Sequence, residues 1–337
     1  MVKRIFWVDF AKGVTIFLVV VAHVCGQITN NLRINSIVDL DILRYLMYFS
    51  FLFIMPVFFA LSGYLFKPVK NLKEYKKIVL KKVITIGIPY ISFSVLLYIV
   101  SLVTGMHNEG VSGLSSLILI LWKPYSYLWF LITLLYIFIL INFLFLIRVS
   151  IYIQFFLYFI LGISQAILFP NGSGLSQFFA WSLCFYVGFL LKGRNLLDKL
   201  TNKLFIIIVV AIIPVILQFY FDNNWYEHAN GFNAFNFIPK LLGILVLFFL
   251  YKKAKKNRFT IYFEKYGKVS LAIYLLHYPL LTIIRRGLTL LSFNNPFIVF
   301  LLCLILSWYG SIFCLKLFSK ITPLYLLIFP NKYLKYN

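Results

Sequence analysis

Apolar residues run down this chain in blocks long enough, or nearly so, to cross a lipid bilayer, with polar residues gathered between them. The blocks cover residues 5–25, 45–66, 83–104, 127–147, 151–169, 177–192, 204–221, 237–251, 269–290 and 297–318. A further run, 114–122, is too short to cross and is expected at the interface. Only helices or closed barrels satisfy their backbone in lipid, and blocks of this length suit helices. The pattern therefore predicts an all-α fold: a polytopic membrane helix bundle of about ten transmembrane helices. A single integral-membrane domain is expected over residues 1–337.

The first block breaks its own pattern. Asp9, Lys12 and His23 stand in the otherwise apolar stretch RIFWVDFAKGVTIFLVVVAHV. Ionisable groups inside a span cost about 2.5–3.5 kcal/mol each on insertion scales, so a span that keeps them points to a use for them. Lys12 and His23 are eleven residues apart. That is about three helical turns, which puts both on one face, roughly 16 Å apart along the axis. Asp9, three residues before Lys12, shares that face.

Composition fits a membrane protein. Hydrophobic residues make up 62% of the chain and charged residues 12%, about half the charged fraction of a soluble domain. The net charge of +23 reads as topology and not as a nucleic-acid footprint, because its basic residues alternate from loop to loop. One set of loops holds Lys3, Arg4, the run Lys67 to Lys82, Arg148, Lys192 to Lys203, Lys252 to Lys268 and the tail lysines. The other set holds Asp39, Asp41, Glu109, Asp222 and Glu227, with few cations: Arg33, Arg44, Lys123, Lys240, Arg285 and Arg286. This asymmetry predicts cytoplasmic N- and C-termini. The first block has a basic front like a signal peptide, but the charges inside it and the spans after it mark a retained helix. The four cysteines lie in or beside apolar blocks without metal-ligand spacing, so no metal site and no disulfide framework are expected.

Several residues can carry chemistry. His23 is the strongest, since imidazole titrates near neutral pH and serves as a general base; a ring that only bridges helices is the plain alternative. Lys12 is either an interfacial lysine or, paired with Asp9, a cation meeting a phosphorylated ligand from the cytosol. Ser62, in FFALSGYLF, reads mainly as helix packing with a hydroxyl to offer. The basic run after it is ordinary inside-positive charge or the mouth of an anion site. Trp129 and Phe130 suit an aromatic belt. His277 sits deep in the ninth block, with Tyr274 a turn before it and Pro279, expected to kink or loosen the helix, just after. His107 and His228 fall in outer loops. Arg285 and Arg286 stand near the outer end of the ninth span, where cations are rare, and suit an anionic acceptor such as a lipid pyrophosphate. No P-loop, Rossmann fingerprint, zinc-protease helix or nucleophile elbow is present in the sequence.

Taken together, five motifs in order give a resemblance. They are Lys12 with His23 after Asp9; FFALSGYLF; Lys81 and Lys82 leading to Pro89 and Tyr90; Leu128 to Leu131; and Gly267 to Pro279. The chain resembles the membrane-bound acyltransferase 3 family, in its branch similar to fucose 4-O-acetylases. The resemblance implies an O-acetyltransferase in a bacterial plasma membrane. Its donor would be cytosolic acetyl-CoA, a co-substrate and not a bound cofactor. Its acceptor would be a hydroxyl of a surface polysaccharide or a lipid-linked glycan. It further implies His23 and Asp9 as catalytic, Lys12, Lys81 and Lys82 on the CoA phosphates, and Ser62, Trp129, Tyr274, His277, Arg285 and Arg286 around the substrate. Lysine stands at Lys12 and near Lys82 where many members show arginine; it offers charge without arginine's fork. The rival readings are a flippase for a lipid-linked sugar and an assembly subunit of a surface-polymer machine.

Overall fold

The structure, a computed structural model, describes residues 4–31, 37–104, 118–169, 174–193, 201–226, 229–293 and 295–330. His107, His228, Arg33, Glu109, Arg194, Lys199, Glu227, the tail residues Lys332 and Lys335, Lys3, and residues 114–117 of the short apolar run lie outside them. The described residues are mostly helical, with short turns and irregular connections and without strands.

Among the described residues thirteen α-helices follow one another: α1 Phe6–Asn31, α2 Ile37–Tyr64, α3 Leu72–Lys82, α4 Ile88–Thr104, α5 Trp129–Leu146, α6 Ile151–Leu168, α7 Phe178–Gly193, α8 Leu204–Phe221, α9 Phe237–Lys253, α10 Arg258–Gly267, α11 Ser270–Leu290, α12 Pro296–Phe318 and α13 Thr322–Ile328. Among the described residues, eight helical segments are long and apolar enough to cross a membrane, and nine if α10 and α11, bent by 81° at their junction, form one span. The block expected at 237–251 is α9, 17 residues long. α8 shows why the solvent must be lipid. Ile206, Val209, Val210, Ile213 and Ile216 are all exposed on it, and a helix that presents so much apolar surface is unstable in water. The protein is a polytopic membrane helix bundle.

Two elements differ from the sequence reading. The basic segment expected as a loop is helical from Leu72. Asn71 caps it by accepting from the Glu74 N–H at 2.9 Å, and Glu74 accepts in turn from the Lys70 N–H. α3 then runs through a π-helical turn, Val83–Gly87, into α4. α1 also continues past the expected end at residue 25, as far as Asn31.

The helices form two compact units. One comprises Met1–Ala22, Tyr45–Pro68 and Val149–Ser270. In it α6 packs on α7 and α8 on α9, and α1 meets α10 backbone to backbone. A Cβ at Gly13 would overlap the Phe263 carbonyl, and one at Gly267 would overlap that of Asp9, so only glycine permits this approach. The other unit comprises His23–Arg44, Val69–Arg148 and Leu271–Asn337. There α3 lies along α5, with the Tyr75 ring against Phe143 and Lys82 Nζ 3.6 Å from the Phe138 ring centre.

Candidate functional site

The site begins with a proline. Pro279 has no N–H, so the Leu275 carbonyl, four residues back in α11, loses its helical donor. Tyr127 fills the gap: its hydroxyl donates to Leu275 O at 2.7 Å. Tyr274 returns a hydroxyl to the Tyr127 carbonyl. Pro279, expected to kink or loosen the helix near His277, removes one helical hydrogen bond there while α11 continues from Ser270 to Leu290, and the freed carbonyl pins Tyr127 to it.

Around that anchor sits a cluster of rings. His23, on α1, lies 5.3 Å from His277, 5.2 Å from Tyr278 and 6.1 Å from Tyr127, centre to centre. Tyr127 stacks on Tyr278 at 4.8 Å and meets His277 at 5.2 Å. Phe130 closes on Tyr274 from the start of α5. His277 and the three tyrosines are buried, while His23 keeps partial exposure. His277 Nδ1 faces two carbonyls, Tyr274 O at 2.7 Å and Ile273 O at 3.1 Å. A carbonyl only accepts, so Nδ1 carries the proton and Nε2 is an open lone pair. That Nε2 is buried and makes no hydrogen bond among the described residues.

Polar groups continue along both helices. One turn past His23, Gln27 Nε2 donates to Thr282 Oγ1 at 3.3 Å, and Thr282 donates to the Tyr278 carbonyl. His23 pairs with His277 and Gln27 with Thr282, so α1 and α11 run parallel here. The next polar residue on that stretch of α11 is Arg285, 2% exposed, with one Nη donating to Thr289 Oγ1 at 3.0 Å.

The other expected site residues divide. Tyr274 and His277 belong to the cluster. Trp129 opens α5 beside Phe130, 6.5 Å away ring to ring. Arg285 is buried but Arg286 is exposed, so they do not act as a pair. Asp9 and Lys12 lie in the first unit. Asp9 is buried and its ion pair, at 3.8 Å, is with Arg4. No direct Asp9–Lys12 ion pair is found among the described residues, but Lys12 is the cation whose charge acts most strongly on the Asp9 carboxylate, ahead of Arg4. Lys12 is near enough to feel that charge and stays half-buried. Lys81 is exposed on α3, while Lys82 covers Phe138. Ser62 donates to its own helix at Phe58 O. Its neighbour Gly63 lets α2 touch α7 at Phe185, which makes this motif helix packing.

Four members of the cluster were missed by sequence reasoning: Tyr127, Tyr278, Gln27 and Thr282. Gln27 was within reach, being one turn from His23 on the same face, had the first span been drawn to its full length. Lys240, expected at an outer loop, is fully buried. Its ammonium donates to the carbonyls of Ala229, at 2.7 Å, and Gly231, with the Phe232 ring 4.9 Å away.

A multi-pass helical protein with an imidazole cluster inside a span is the class that fold and site define. The chain belongs to the acyltransferase 3 family: the family model, described as an acyltransferase domain, matches residues 5–316. No curated protein and no solved structure gives a match. The protein is thus a membrane acyltransferase.

Proposed function

We propose that the protein moves an acetyl group from cytosolic acetyl-CoA to a hydroxyl of a surface polysaccharide or lipid-linked glycan, in the manner of the fucose 4-O-acetylase-like branch. The supporting observation is His23, a partly exposed residue whose imidazole is ringed by buried tyrosines and by His277, with the His277 Nε2 lone pair unused among the described residues. The acceptor oxygen forms a bond to the thioester carbonyl carbon and the carbon–sulfur bond breaks. The hydroxyl proton passes to His23 and then to the departing CoA thiolate. In the second form of the reaction His23 takes the acetyl group itself and hands it on. The hydroxyls of Tyr127 and Tyr274 are held by backbone carbonyls. They therefore position the aromatic walls, and the buried His277 Nε2 keeps a lone pair with no hydrogen-bond donor among the described residues.

Lys12 precedes His23 by eleven residues on one unbroken helix. The axial rise, about 16 Å, is on the scale of a pantetheine arm. Lys12 supplies charge for the CoA phosphates, and cytoplasmic termini of a plasma-membrane protein fit a donor drawn from the cytosol.

The test is His23→Ala in purified, detergent-solubilised protein given labelled acetyl-CoA and glycan acceptors. Transfer is expected to fall by about 10²–10⁴-fold with insertion unchanged. Retained transfer removes His23 from the mechanism. Incubation without acceptor separates the two forms, since only the second leaves a labelled acetyl on His23.

A further inference from the structure

Arg285 has no use in the reaction just described. It is 2% exposed, on a helix that forms part of a membrane-spanning bundle. Its guanidinium has five donors, and the structure gives it one acceptor, the neutral Thr289 hydroxyl. Its Nε is covered and makes no hydrogen bond among the described residues. The titratable side chain that senses it is the Cys303 thiol; no carboxylate among the described residues pairs with it. A cation buried and underserved in this way is expensive without a counter-charge.

Its position says what brings that charge. Gln27 and Thr282 continue from the imidazole pair toward the C-terminal ends of α1 and α11, and Arg285 lies on from them. His277 and Arg285 are eight residues apart on α11, a rise of about 12 Å. Resting on the acyl-transfer reading above, we infer that Arg285 is the anion anchor of the acceptor site. It binds an oxyanion, phosphate or carboxylate, on an acceptor whose reacting hydroxyl reaches His23 while its negative group sits about 12 Å away. Gln27 and Thr282 line the intervening stretch with groups that hydrogen-bond sugar hydroxyls. Guanidinium suits this task because its planar donors grip phosphate or carboxylate on two prongs.

Three acceptors test it with the full chain in detergent: one sugar linked to a farnesyl chain by a diphosphate, the same sugar on an ether link, and the matching uronic acid on the ether link. The wild type is expected to favour an anionic acceptor over the neutral one by about 10- to 100-fold in kcat/KM, chiefly through KM. Arg285→Gln erases that preference by bringing kcat/KM for the anionic acceptors down to that for the neutral one; Arg285→Lys keeps part of it. Preference for the diphosphate makes the linker the anion, and preference for the uronic acid makes it the sugar. Equal rates on all three in the wild type overturn the inference even if the glutamine variant fails to fold, as does a preference that survives Arg285→Gln. A wild type that acetylates none of the three overturns the acyl-transfer reading itself.

Discussion

Two cations are buried among the described residues, and they are served very differently. Lys240 has two carbonyls on its ammonium, the Phe232 ring beside it at 4.9 Å and the Trp181 ring at 5.6 Å. The segment it binds is tied down as well: Gln177 both accepts from the Phe232 N–H and donates to its carbonyl, and Asn236 donates to Gly231 O. Arg285 has one hydroxyl. Both residues stand near one end of an apolar block, Lys240 alone and Arg285 beside the exposed Arg286. What separates them is whether the fold supplies the acceptors. A fully satisfied buried charge is a structural joint, while an underserved one waits for a ligand.

The largest effect should come from the satisfied cation. Lys240→Met leaves the Ala229 carbonyl without its lysine donor in a buried setting and loosens the Gly231 turn, at about 1–3 kcal/mol for each orphaned group. A loss of about 2–4 kcal/mol is expected, read as a fall in the thermal midpoint of the detergent-solubilised protein. Acetyl transfer per folded molecule should not change. A variant as stable as the wild type breaks the contrast, because Lys240 would then be no joint.

The same contrast shows how far the sequence speaks. Block lengths and hydropathy mark nearly every helix, because a span in lipid must be both long and apolar. Lys12 and His23 were visible as breaks in that pattern, and His277 as an ionisable group deep in a block. Lys240 was misread because charge near a span end normally means an interface, and the segment that covers it carries no signal of doing so. Tyr127 was invisible for a different reason. Its place depends on a carbonyl freed by Pro279, at a sequence distance of 148 residues from the bond it makes. The basic segment 72–82 looked like a loop because charge outweighs periodicity in so short a stretch; the Asn71 and Glu74 cap was the signal to read.

A smaller effect sharpens the comparison at the other cation. Thr289→Val removes the hydroxyl that accepts from Arg285 and donates back to the Arg285 carbonyl. The ligand-free protein should lose about 0.5–1.5 kcal/mol of stability, the net worth of such a bond. Anionic acceptor should restore the midpoint, since it supplies the missing acceptor group. A midpoint that acceptor does not move would show that the guanidinium meets no ligand.

The smallest effect is the most telling. Arg285→Met keeps most of the side-chain volume and deletes the charge. If the fold needed that charge, the loss should rival the Lys240→Met variant. With Arg285 as an anion anchor, the ligand-free protein gains by shedding a covered guanidinium with a single neutral partner, because well-packed apolar replacements of buried charges are often neutral or stabilising. The thermal midpoint without acceptor should therefore stay within about 1 kcal/mol of wild type or rise. With anionic acceptor added, the wild type should climb and the methionine variant should not. Stability and ligand response thus move independently at Arg285, whereas at Lys240 only stability moves. A drop of several kcal/mol in the ligand-free methionine variant would make Arg285 a second structural joint and erase the distinction.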